Sequence, residues 1–193
     1  MRRGFKAEAE RTAAEHRLRI GCEDFDPLDI EKMAQALGVD LIPADDLVER
    51  ERLEELEEIQ SGAFSAGTFN VAGRRVVVYN PLNSEGRQRS DLAHELAHII
   101  LGHKVRTIES VGELKLLTCD AEQEEEADWL AGCLLLPRPL LLKCARDEWS
   151  AKKIARKHRT SEQMARFRLN ASGVLVQIGR AKAAKNRKSG NSA

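Results

Sequence analysis

The chain has 193 residues, 42% of them hydrophobic and 32% charged, with a formal net charge of zero; that suits one domain of ordinary size, or a domain with a small appendage. Aromatic residues make up only 4%, so Leu, Ile, Val and Ala must fill the core of a helix-rich globular protein. A membrane span is excluded because the most apolar stretch, Cys133 to Leu142, is broken by Pro137 and Pro139, whereas spanning needs roughly 20 apolar residues.

Met1 to Lys6 is followed by a charged helical pattern, so no secretory leader is expected. Residues 7–20 form an amphipathic helix by composition, with Gly21 past its end. Pro27 is expected to open a second helix, with Ile30, Met33, Ala34 and Leu37 at helical spacing and Gly38 as its stop. Val39 to Ile42 reads as a short strand ended by Pro43. Asp45 and Asp46 then begin a helix through about Ile59, its Leu53, Leu56 and Ile59 forming one stripe among glutamates that read as a solvated face. Together these elements make a helical lead-in over residues 7–60.

Ser61 to Asn70 is small and glycine-punctuated, a strand or extended edge, and Arg75 to Tyr79 is a buried strand by its β-branched run. The pair is expected to be antiparallel, turning around Ala72-Gly73. Asn83 or Ser84 caps a helix running to Leu101, closed by Gly102. Residues 104–118 carry the least pattern. Ala121 or Glu122 begins another helix, which must end near Pro137 because the residue before proline resists the helical conformation.

Ser150 to His158 and Ser161 to Leu169 read as two short helices around a turn at Arg159-Thr160, with Ile154, Met164, Phe167 and Leu169 facing inward. That is helix-turn-helix-like. It is also basic: residues 146–193 hold 13 Lys/Arg against 3 Asp/Glu, a net of +10 that balances −10 in the first 145 residues. The pair is open to two readings, DNA contact or a helical pair packed on the rest of the chain or docking a protein. The second is preferred, and DNA binding by the pair alone is expected to be weak and salt-sensitive. Residues 179–193 read as a basic disordered tail. The four cysteines, Cys22, Cys119, Cys133 and Cys144, form no close pair and read as reduced, small hydrophobes of a cytoplasmic protein.

The helix at 84–101 contains His94-Glu95-Leu96-Ala97-His98, an HExxH. Residues four apart lie on one helical face, so the two imidazoles stand one turn apart, as two ligands of a tetrahedral zinc require. Glu95 is turned just off that face, within reach of a water on the metal but poorly placed to ligate. Zinc acidifies such a water and the carboxylate takes its proton, the chemistry of a metalloprotease. A third ligand is then due from another element. Glu124 and Asp128 are spaced E-x-x-x-D on the next helix, so Glu124 is expected to bind the metal and Asp128 to orient a ligating histidine. Ala127 and Ala131 on the adjoining face let the two helices approach closely. Manganese or another divalent ion is compatible with the same donors.

Other residues fit less well. His103 is not the third ligand of the longer HExxHxxGxxH pattern, because Leu101 and Lys104 stand where it needs Gly and His; it reads as a helix-end histidine. His16 and His158 lie in basic helical segments and read as surface residues. Tyr79 is either a donor to the tetrahedral oxyanion or a packed aromatic.

The stretch Val76-Val77-Val78-Tyr79-Asn80-Pro81, followed by Arg87 through His103, resembles the core of the ImmA/IrrE family of metallopeptidases. So does Glu124 through Pro137, which is similar to that family's E-x-x-A-[ND]-x-F-A-x-x-L-[LM]-x-P block, with Leu130 in place of the usual Phe. The N-terminal Pro27-Leu28-Asp29-Ile30 and Leu37-Gly38-Val39 resemble its lead-in helices, and the likeness spans about residues 10–175. It implies an α+β, compact zincin-like metallopeptidase domain, helix-rich with a small antiparallel sheet, over residues 1–145. The helix-turn-helix-like pair follows over 146–178. The resemblance also implies His94, His98 and Glu124 as zinc ligands and Glu95 as base. Members are bacterial or carried by phages and mobile elements, and they cleave a helix-turn-helix repressor, often encoded nearby, to relieve repression. Some carry a C-terminal sensor domain, for which this chain is expected to have no room. The competing expectation is a DNA-binding or toxin–antitoxin regulator with a structural or vestigial zinc site, which the intact Glu95 argues against.

Overall fold

A computed structural model describes residues 1–103, 106–111, 114–118 and 120–190, with the backbone alone over 106–111, 114–118 and 185–190. In chain order, α1 spans Phe5–Arg19, α2 Ile30–Leu37, β1 Val39–Pro43, a 3₁₀ turn Ala44–Asp46, α3 Arg50–Ile59, β2 Ala66–Val71 and β3 Arg74–Tyr79. Then come α4 at Glu85–Leu101, β4 at Arg106–Val111, β5 at Leu114–Thr118, α5 at Ala121–Leu135, α6 at Arg138–Arg146, α7 at Ala151–Lys157, α8 at Glu162–Ala171 and α9 at Val174–Gly190. The fold class is α+β, as expected.

Local chemistry sets the helix ends. The Asp29 carboxylate accepts from the Lys32 N–H, so α2 starts at Ile30 and not at Pro27, and Gly38 closes it at φ 66°. Ser84 precedes α4 without a side-chain cap, while Asp120 caps α5 by accepting from the Glu122 N–H. The helix expected from Asp45 to Ile59 is two pieces, the 3₁₀ turn and α3. Of its stripe only Leu53 is buried; Leu56 and Ile59 are exposed.

The sheet order is β1-β3-β2. β2 and β3 pair antiparallel around Ala72-Gly73, with Thr68 opposite Val77. β1 pairs parallel to β3, with Leu41 opposite Val77, so the sheet is mixed and not wholly antiparallel. The reason is connectivity: α3 and β2 form the crossover that parallel neighbours require. The unpatterned stretch at 104–118 holds a second sheet, the antiparallel hairpin β4–β5 with a register shift at Thr107/Glu109.

Beneath the sheet, α4 and α5 pack face to face. Ala93, Leu96 and Ala97 of α4 meet a core that includes Ala127, Leu130, Ala131 and Leu134 of α5, all fully buried. Alanines along both faces allow the close approach expected of Ala127 and Ala131. Truncating a central side chain such as Leu96 to Ala would cost about 2–5 kcal/mol.

The C-terminal helices belong to this same core through Ile154, Ala165, Leu169 and Val174. The turn between α7 and α8 presses on the start of α4. A Cβ at Gly86 would stand 2.5 Å from the Thr160 carbonyl oxygen, so only glycine fits there. Ser90 Oγ meets Thr160 Oγ1 and Ser161 Oγ, each at 3.0 Å. Two features depart from the sequence reading. Phe167, expected inward, is 36% exposed, and α9 continues through Gly190 where a tail was expected from 179. Residues 191–193 and Cys119 lie outside the described residues.

Candidate metal centre

Two neighbouring helices and one strand build the site. α4 presents His94 and His98 one turn apart, and α5, laid against it, brings Glu124 and Asp128. Burial of Leu92 and Leu96 fixes the rotation of α4 and so aims both imidazoles at α5. The facing nitrogens converge: His98 Nε2 lies 2.9 Å from His94 Nε2, which lies 3.1 Å from Glu124 Oε2, and His98 Nε2 is 3.6 Å from Glu124 Oε1. These three residues form a group able to hold a metal ion.

The donors fit zinc by distance. Four-coordinate zinc with ligands at about 2.0–2.1 Å holds neighbouring donors roughly 3.3 Å apart, and the three observed separations bracket that value. The ligands' other sides are also braced. Asp128 Oδ1 is 2.9 Å from His94 Nδ1, as its spacing from Glu124 led us to expect. His98 Nδ1 is 3.0 Å from His103 Nδ1, and the far nitrogen of His103 faces the Glu126 carboxylate at 3.7 Å. Glu126 in turn accepts from the Arg2 backbone N–H and pairs with its guanidinium, each at 3.3 Å. His103 reaches this place because Gly102 adopts φ 64° and the His103 N–H returns to the His98 carbonyl at 3.0 Å, closing the helix and folding the ring back. The helix-end reading of His103 therefore holds for its backbone, while its side chain supports a candidate ligand. That role, and the role of Glu126, escaped the sequence reading.

Glu95 points aside from the three donors. Its Oε2 accepts a hydrogen bond from Thr68 Oγ1 at 2.6 Å, across from β2. Thr68 was not singled out from sequence; its only signal was a polar, β-branched residue in a strand beside the HExxH helix. Tyr79 lies elsewhere in its interactions. Burial, and then Asp45, Glu31 and Asp46, raise its phenol above the usual value, so its charged neighbours come from α2 and the 3₁₀ turn. Its side chain is partly buried against the hydrophobic core.

Electrostatics separate the two imidazoles. Burial lowers His94, but the Asp128 hydrogen bond and the charges of Asp128, Glu124 and Glu95 outweigh it, and the net shift is upward. Burial, then the neighbouring His94 charge, hold His98 down to about 4, so its ring is neutral near pH 7 and has a lone pair to offer. The three carboxylates of Glu95, Glu124 and Asp128 around His94 mark a place that attracts a cation. The side chains of Glu124 and Asp128 remain 45% and 59% exposed, so the centre opens to solvent on the α5 side.

The remaining sequence candidates fall outside the site. His16 is half-buried on α1. His158, expected at the surface, is only 2% exposed, and Arg159 at φ 51° turns the chain just after it. Cys22, Cys133 and Cys144 are free thiols, and burial raises the last two, as suits packing residues. Among the described residues no helix is long and apolar enough to cross a membrane.

A helix-borne HExxH, a carboxylate from the next helix and a mixed sheet flanking them define a peptidase-like domain. The chain belongs to the Peptidase M78 family, the IrrE N-terminal-like domain, whose profile matches residues 34–170. Its fold is similar to that of a solved Mycobacterium tuberculosis transcriptional regulator, with a TM-score of 0.51 at 16% identity, over 86% of this chain and 46% of that one. The chain thus spans less than half the length of that neighbour. No curated protein matches it by sequence.

Proposed function

We propose that the chain is a zinc-dependent endopeptidase that cuts a helix-turn-helix transcriptional repressor at one or very few bonds and so relieves repression. The observation that carries the peptidase reading is Glu95 held by Thr68 beside the three-donor group of His94, His98 and Glu124. When bound, the zinc supplies an acidified water and a Lewis acid for the peptide carbonyl. Glu95 is the base: its carboxylate takes the proton of the attacking water and returns it to the leaving amine. The Thr68 hydroxyl fixes one oxygen of that carboxylate and leaves the other for the proton. Asp128 and His103 orient the two imidazoles. A purely structural zinc would be closed by four protein ligands, whereas three suitable donors gather here among the described residues, on a side open to solvent.

The repressor as substrate rests on family membership and fits the separation of charge, with a basic C-terminal segment and acidic α3 as docking surfaces. The DNA-binding alternative finds little support. The start of α8, which a DNA reader would present to the major groove, packs on Gly86 and Ser90.

The purified chain should retain one zinc by elemental analysis and lose it in His98→Ala and Glu124→Ala. Glu95→Gln should keep fold and zinc while losing proteolysis. Substantial cleavage by Glu95→Gln would contradict the assigned base, and a metal lost with Glu126→Ala but not with Glu124→Ala would overturn the third ligand.

A further inference from the structure

A pocket of about 250 Å³ opens directly beside His94, bounded by Arg87, Asp91, Asp128, Met164 and Phe167 among others. It shares His94 and Asp128 with the metal centre, and its far wall is α8. Apart from the amide of Gln163, which also lines it, its polar groups are largely engaged with one another. Asp91 is paired with Arg87 at 3.3 Å, and Asp128 is turned to His94. The two serines on its floor, Ser90 and Ser161, bond each other. What the cavity leaves for an occupant is the neutral amide of Gln163, the thioether of Met164 and the ring of Phe167, whose edge-to-face contact with Trp129, centroids 5.8 Å apart, holds it in place.

We infer that this pocket is the side-chain subsite of the proposed peptidase, and that Met164 and Phe167 select an uncharged apolar residue of leucine or phenylalanine size next to the scissile bond. The inference rests on the reading of His94, His98 and Glu124 as the metal centre. Consecutive residues of an extended peptide advance about 3.3–3.6 Å, so a cavity bordering a ligating imidazole lies within one or two residues of the bond that is cut. The Arg87–Asp91 pair is internally neutralised and Asp128 is engaged by His94, so a charged side chain would have to displace an existing pairing to be buried there, which is unfavourable. In this arrangement α8, the second helix of the helix-turn-helix-like pair, reads peptide side chains.

The test uses amino-acid hydroxamates, whose chelating head fixes the side chain beside the metal. N-acetyl hydroxamates of Leu, Phe, Ala and Lys would be titrated into the zinc-loaded full chain by calorimetry. The Leu and Phe compounds should bind roughly tenfold or more tightly than those of Ala and Lys, the scale of discrimination an apolar pocket supplies. Met164→Trp, which fills the cavity, should bring the Leu-to-Ala ratio to about one. Met164→Glu should reverse the preference of Leu over Lys. Zinc content, measured on each protein, separates the two claims: wild type without zinc overturns the metal-centre reading and the subsite with it. Retained zinc with equal binding of all four hydroxamates, or ratios unmoved by both substitutions, overturns the subsite alone.

Discussion

Thr68 and Glu95 meet at 2.6 Å although they lie 27 positions apart in the chain, joining the edge strand β2 to the HExxH helix α4. A hydrogen bond to a charged acceptor is worth about 1.5–3 kcal/mol, and each 1.4 kcal/mol is a factor of ten. Thr68→Val, which keeps the shape and removes the donor, should lower kcat by roughly tenfold to a hundredfold and leave zinc content unchanged. Thr68→Ser should restore most of the rate. A Thr68→Val enzyme of wild-type kcat would remove the residue from the mechanism.

His103 and Asp128 hold the outer nitrogens of the two imidazoles. Partners of this kind typically contribute 10–100-fold to metal affinity. His103→Ala and Asp128→Ala should each weaken zinc binding by roughly that factor in competition with a chromogenic chelator, with melting temperatures near wild type when zinc is saturating. Unchanged affinity in both would show the bracing to be incidental.

The buried imidazole of His158 has a consequence for acid stability. Neither ring nitrogen meets a hydrogen-bond partner among the described residues, and burial, then Lys157 and Arg17, lower its pKa from the ordinary 6.5. The folded state therefore keeps it neutral while the unfolded chain takes up a proton below about pH 6.5. Its contribution is fully present above that pH and is lost as the pH falls toward the depressed folded value, at no more than about 1.4 kcal/mol per pH unit. In urea titrations between pH 7 and 5, His158→Leu should show a shallower loss of stability than wild type. Equal slopes would contradict the assignment.

Much of this was legible locally. His94, His98 and Glu95 follow from one helix period, and Glu124 with Asp128 from one spacing on the next helix. Thr68 and His103 were not legible. The first depends on strand–helix packing, and the second on a left-handed Gly102 that turns the chain back. The parallel pairing of β1 with β3 was equally hidden, because a short strand does not encode its neighbour's direction. The β4–β5 hairpin was missed because its apolar residues are too few to alternate clearly. At the C-terminus, α9 carries enough Ala, Lys and Arg to be helical, which a reading by charge alone passed over.

The basic C-terminal pair should bind DNA only weakly. With the α7–α8 turn packed on α4, Lys and Arg remain for phosphates but the start of α8 is not free for base edges. Association measured by fluorescence anisotropy should lack sequence preference and fall steeply between about 50 and 200 mM salt. A salt-resistant, site-specific complex would restore the regulator reading.

The central claim is tested most directly by incubating the zinc-loaded chain with the helix-turn-helix repressor encoded beside it and, in parallel, with casein, and mapping products by mass spectrometry. The expected result is one or very few cuts in the repressor, no comparable degradation of casein, and neither product with zinc-loaded Glu95→Gln. An intact repressor beside efficiently degraded casein would contradict the regulatory role while sparing the peptidase. Both proteins left whole by a zinc-loaded, folded chain would contradict the account.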